Sequence, residues 1–103
     1  MSNVIQLENI EEMRLQEGID DVDLRKEIGG LRVGDFVKLT FLTSTASFET
    51  LLVRITRIRG SAYQGTLVKK PTTNGLSELQ AGLSLPFTAA HIHSIAKGQP
   101  AHG

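Results

Sequence analysis

The stretch LLVRITRIRG, residues 51–60, decides how the chain is read, because it sets three arginines into an otherwise apolar strand. In a regular strand Leu51, Val53 and Ile55 share one face and Arg54 takes the other, but strict alternation then sends Ile58 to solvent. A single extra residue at Thr56 and Arg57, a β-bulge, returns Ile58 to the core side. The same bulge turns Arg54, Arg57 and Arg59 outward together. A strand bent in this way is what a small closed barrel needs.

Working outward, Gly60 and Ser61 form a tight hairpin and AYQGTLV (residues 62–68) is the partner strand. Counting back from the turn puts Tyr63 across from Ile58, Gly65 near Ile55 and Leu67 near Val53, all inside. Gln64 and Thr66 then sit outside, beside Arg57 and Arg54. The two strands agree only if the bulge is there, and Gly65 falls where the barrel wall bends.

Upstream, LRVGDFVKLTFL (residues 31–42) has a Gly-Asp turn and then alternation, with Val37, Leu39 and Phe41 on one face and Phe36, Lys38 and Thr40 on the other. TSTAS is a small polar linker. Downstream, KKPTTNG is a loop, since Pro71 ends pairing and Asn74-Gly75 is a turn dipeptide. GLSLPF carries Leu83, Leu85 and Phe87 in alternation with Pro86 at a polar position, the mark of an edge strand. Thr88-Ala-Ala-His reads as a short helical turn, and residues 91–95 as a last strand. The tail, residues 97–103, has nothing to pack and is expected to be mobile.

The first thirty residues read as helix, turn, helix. Asn9 and Glu12 have capping-box spacing and Gly18 is a stop. Ile19, Asp20 and Leu24 have the staple, cap and staple spacing of a second start, closed by Gly29 and Gly30. Ile10, Met13, Val22, Leu24, Ile28 and Leu31 supply the docking face that helices this short require. VIQL, before Asn9, either extends the first helix or lies extended.

The expected fold is therefore α+β, mainly β: an acidic helical segment (residues 1–30) packed on a five-stranded small β-barrel (residues 31–96), followed by the tail, within one domain. VGDFVKL, IRGSAYQGTL and SLPFTAAHI resemble SH3-like barrels, including bacterial families with no assigned function, and more broadly the SH3-like or Sm-like kind. The resemblance covers about residues 31–95. Its motifs specify turns and a core, so it implies a fold and no activity.

Charge divides along the chain. Residues 1–30 hold eight acids against three bases, a balance of −5, and the remainder holds three acids against eight bases, a balance of +5. Such asymmetry points either to a nucleic-acid surface or to an acidic arm lying on a basic one. The absence of cysteine removes disulfides, thiolate metal sites and cysteine nucleophiles, and suits a reducing compartment. No apolar run approaches the roughly 18 residues of a membrane span, and no signal peptide is legible, so the expected setting is cytoplasmic, with no membrane partner.

Arg54, Arg57 and Arg59, with Lys69 and Lys70 beyond the neighbouring strand and Lys38 nearby, form a candidate basic stripe. The plainer reading is that they keep a solvent-facing strand from pairing, or meet the acidic helices. The helix-turn-helix look of residues 9–29 fails as a DNA reader, because Asp20, Asp21 and Asp23 would meet phosphates; capping explains them. His91 and His93 alternate as two metal ligands could, but no third ligand lies near them and His102 is in the tail. No nucleophile has a base beside it and no phosphate loop or dinucleotide fingerprint is present, so no enzyme and no cofactor is expected. The functional expectation is a non-catalytic module that binds a protein partner or another copy of itself, with the GLSLPF edge and the two loops as contacts. The alternative is binding of RNA or single strands through the arginine face.

Overall fold

The computed structural model describes residues 6–20, 22–43, 48–72, 76 and 79–96. The order is β1 (Gln6–Leu7), α1 (Ile10–Gln16), α2 (Val22–Gly29), β2 (Phe36–Leu42), β3 (Phe48–Arg59), β4 (Ala62–Leu67), β5 (Ser84–Thr88), a 3-10 turn (Ala89–His91) and β6 (Ile92–Ile95). The class is α+β, mainly β: two helices beside an antiparallel, nearly closed barrel. Asp21, residues 44–47 of the TSTAS linker, residues 73–75 of the KKPTTNG loop, Glu78 and the tail with Lys97 and His102 lie outside the described residues.

The helix ends follow their capping chemistry. The Asn9 side chain accepts from the Glu12 amide at 2.9 Å. At the other end Gly18 has φ +79°, the Ile19 amide reaches the Arg14 carbonyl at 2.7 Å and the Gly18 amide the Leu15 carbonyl at 3.0 Å. That pair of bonds is a Schellman stop, and it needs a residue at ease in the left-handed region. Asp20 forms an exposed ion pair with Arg25, of small energetic weight.

The bulge in β3 lies where the isoleucine spacing puts it. Ile55 pairs with Gly65, Arg57 with Gln64 and Ile58 with Tyr63, leaving Thr56 as the extra residue. Leu51, Val53 and Ile55 are buried and Ile58 half-buried, while Arg54, Arg57 and Arg59 are exposed. Inside the barrel these residues join Val37, Leu39 and Phe41 of β2, Tyr63 and Leu67 of β4, Phe87 of β5 and Ile92 of β6. Tyr63 and Phe87 stack with ring centroids 5.4 Å apart. Leu76 and Leu79, from the long β4–β5 connection, fill the same core.

The edges of the sheet place the outer features. β2 pairs with β3 along its whole length, with β6 at Val37–Leu39 and with β1 at Phe41–Leu42. The open question over VIQL is thus resolved in part: Gln6 and Leu7 lie extended and add a short strand to the five expected. Between Lys38 and Leu39 the partner shifts from Ser94 to Ile92, so His93 is itself a bulged residue. On its other side the barrel is open between β1 and β5, a cleft of about 480 Å³ walled by Leu7, Phe41, Leu79, Leu85, Pro86 and His91.

The free edge of β5 is poor in donors. The Leu67 amide reaches the Leu83 carbonyl at 2.9 Å, and the Ala89 amide reaches the Ser61 carbonyl at 3.3 Å. With Gly65 facing Leu85 and Tyr63 facing Phe87, the odd-numbered residues bond to β4 and Ser84, Pro86 and Thr88 turn their main-chain groups to the free edge. Pro86 has no amide proton. The Thr88 amide is capped by the His91 imidazole, donating to Nδ1 at 3.0 Å. Ser84 is left as the one amide donor of β5 that points along this edge, so the expected edge exists and its chemistry discourages strand addition.

The cap requires neutral His91, with its proton on Nε2. Burial lowers the His91 imidazole below its ordinary value of 6.5. Burial, then Arg14 and Lys38, lower His93 too, against an opposing pull from Glu8. Unfolding therefore releases groups that protonate more readily, so their contribution is whole above about pH 6.5 and is lost as pH falls through the depressed folded values. The urea midpoint is expected to drop between about pH 7.5 and about pH 5.5. His91→Gln, whose side chain can accept the same amide without titrating, is expected to flatten that slope in part. Identical slopes for the two proteins would show that the imidazole cap carries none of it.

Candidate functional site

The outward side of β2, β3 and β4 carries the sequence-expected stripe. Phe36 pairs with Arg54 and Lys38 with Leu52, while Thr66 flanks Arg54 and Gln64 flanks Arg57 on the other side. Lys38 is thus diagonal to Arg54 on the same face. Lys69 and Lys70 are exposed but follow Val68 beyond the end of β4, outside the ladder that holds the arginines in line. Phe48, 66% exposed, lies at the far end of the same face of β3.

The acidic helices do not neutralise this stripe. α1 packs on the 3-10 turn and β6, and α2 on β6. Among the described residues, no helix carboxylate lies within ion-pair distance of Arg54, Arg57 or Arg59. The described barrel acids are engaged elsewhere: Asp35 accepts from the Arg32 amide at 2.9 Å, and Glu49 accepts from the Thr72 amide at 3.0 Å.

The second feature is an apolar groove that the sequence reading did not identify. Both helices stand off the barrel end and enclose about 400 Å³ against the Gly60–Ser61 hairpin and the 3-10 turn. Ile10, Tyr63 and Ile92 lie buried along it, Leu24 and Ile28 are half-buried, and Leu15 and Ile19 stand on its rim at 60% and 47% exposure. Burial pushes the Tyr63 phenol above its usual value, so it stays a neutral donor. Polar side chains at the rim are few: Glu11, Arg14, Asp20, Arg25 and Ser61, with Arg14 donating to the His93 carbonyl at 3.1 Å and Arg25 paired to Asp20.

The signal for this groove was a surplus of apolar side chains. Of the six residues expected to dock the helices, Val22 is instead 46% exposed, next to Ile19. Ile10 is the one buried residue of α1, and α2 has none. A helix pair with more apolar surface than it buries leaves a face for something else.

His91 and His93 do not form the strand pair that their spacing suggested. His91 ends the 3-10 turn with Nδ1 on the Thr88 amide, and His93 occupies the β6 bulge with Nδ1 3.1 Å from the Ser94 hydroxyl. Among the described residues, no group of three His, Cys, Asp or Glu side chains is placed to hold a metal ion. Nor is any helix among them long and apolar enough to cross a membrane. In comparison with known proteins, no family model, curated protein or solved structure matches the chain.

Proposed function

We propose that the chain is a non-catalytic protein-binding module on an SH3-like barrel, and that its contact surface is the groove between the helices and the barrel end. The strand order and the 3-10 turn before the last strand support the SH3-like assignment. The observation that carries the functional reading is Leu15 and Ile19, large apolar side chains held exposed on the rim of a groove with an apolar floor. An apolar cleft with few polar groups is the usual form of a binding site, and an apolar floor with exposed apolar rim residues is the kind of surface that takes the apolar stripe of an amphipathic helix. Such a helix brings side chains at i, i+3 or i+4 and i+7. The donor-poor edge of β5 makes strand addition the weaker route. A cytoplasmic setting accords with the cysteine-free composition.

The test is a selection from amphipathic-helix libraries, on the same chain or a Leu15→Glu and Ile19→Glu variant. Selected sequences are expected to bind the wild type roughly 30-fold tighter than the variant, the scale of a lost hot spot, and to slow amide exchange in α1 and α2. Sedimentation in the absence of peptide reports whether a second copy fills the groove. Peptides that bind both proteins alike, with monomeric sedimentation, would sink the reading.

A further inference from the structure

The arginine stripe lies on the outer wall of β2–β4, and the groove lies between the helices and the barrel end. Among the described residues, the outward positions of β2, β3 and β4 include four bases and no acid. Lys38, Arg54, Arg57 and Arg59 are all exposed. Because Thr56 is the extra residue of the bulge, the three arginines project from one strand to one side. Arg57 and Arg59, two residues apart, are spaced by about 6.6 Å along β3. Their neighbours across the strands are Phe36, Gln64, Thr66 and Ala62, an aromatic ring and neutral groups. Glu8, whose amide reaches the Thr40 carbonyl at 2.9 Å, is the outward carboxylate nearest Lys38, at the β1 end of the wall and away from the arginines. Guanidinium groups aligned on a stretch of wall without an acid among its described residues are arranged to receive a polymer of phosphates.

We propose that this outward face binds single-stranded nucleic acid, tracking its backbone with Lys38, Arg54, Arg57 and Arg59. The choice of a single strand over a duplex follows from shape. Reading a duplex groove needs an element that projects into it, and the two helices of this chain carry acids in their first turns, Glu11, Glu12 and Asp23, where a recognition helix meets the DNA. An open strand instead lays its backbone on a sheet wall and its bases on rings, and Phe36 beside Arg54 and exposed Phe48 further along β3 are such rings.

The experiment is fluorescence anisotropy of the full chain with labelled oligouridylate, oligodeoxythymidylate and a hairpin duplex, over a series of salt concentrations. Four phosphate contacts predict a log–log salt slope of about −2.8, so a four-fold rise in salt weakens single-strand binding about 50-fold. Arg57→Ala is expected to reduce the slope by about 0.7, and Arg57→Lys to restore it. These side chains are exposed, so the variants fold, as the circular dichroism spectrum and urea midpoint will confirm. Leu15→Glu, which alters the helix groove, is expected to leave binding unchanged. No binding by the folded chain at the lowest salt, or binding indifferent to Arg54→Ala, Arg57→Ala and Arg59→Ala combined, overturns the proposal. So does a duplex held as tightly as the single strands. Displacement of the probe by polyglutamate as readily as by unlabelled oligonucleotide also overturns it, and assigns the face to an acidic protein.

Discussion

Gly65→Ala is expected to cost about 3 kcal/mol or more, the upper range of overpacking effects, and to lower Tm by about 12 °C or more for a chain of this size. A Cβ built at Gly65 meets Val53 Cγ1 at 2.5 Å, the Arg54 carbonyl oxygen at 2.8 Å and Phe87 Cε1 at 3.1 Å. The first is a side chain that can turn; the second is main chain of the paired strand, fixed beside the bulge. Trimming the neighbour with Val53→Ala is therefore expected to rescue only part of the loss, a non-additive result between touching residues. The reading is a urea titration of both single variants and the double variant. A Gly65→Ala midpoint equal to wild type would mean that the β3–β4 wall is looser at the bulge than these distances allow.

Ile10→Ala is expected to remove about 2–5 kcal/mol, and to do so locally. Ile10 is 1% exposed and is the one buried anchor of a seven-residue helix, far too short to persist alone. Ile10 also lies outside the barrel's own core cluster. Hydrogen exchange is the discriminating measurement: amides of residues 10–16 should lose protection while those of β2, β3 and β4 keep theirs. Protection lost evenly along the chain would show that helices and barrel unfold as one unit. The local outcome would also abolish the groove, and with it the peptide binding proposed above, while leaving the arginine face intact.

The parts of this fold that were legible in sequence are those fixed by neighbours. A two-residue hairpin at Gly60–Ser61 locks β3 and β4 into one register, so the three-residue step between Ile55 and Ile58 could be placed without knowing anything distant. The Asn9 cap and the Gly18 stop are local for the same reason. The pairing of Gln6 and Leu7 with Leu42 and Phe41 spans the helices, and nothing in two residues announces it. Leu76 and Leu79 sit in a connection whose polar texture hides their return to the core. The surplus of apolar side chains that signals the groove could not locate it, because an apolar side chain in an amphipathic helix looks the same whether it docks inward, as Ile10 does, or stands at a rim, as Leu15 does. His91 suggested a ligand by spacing, and its actual work, capping Thr88, depends on the 3-10 turn that folds it back. The arginine face lay between these cases. Its alignment was set by local register, but whether the acidic helices would sit on it was a question of tertiary packing.

The bulge at Thr56 also governs how the length of this chain can change over evolutionary time. Remove that one residue and Val53, Ile55 and Ile58 still face inward, with Arg54, Arg57 and Arg59 outward, because plain alternation then delivers what the bulge had restored. A deletion between Leu51 and Ile55 instead puts one part of β3 out of phase with the other, and whichever part yields exchanges its inward and outward residues. In divergent copies of this barrel, Thr56 is thus where an alignment gap in β3 can fall without disturbing either surface, at the expense of the wall's bend.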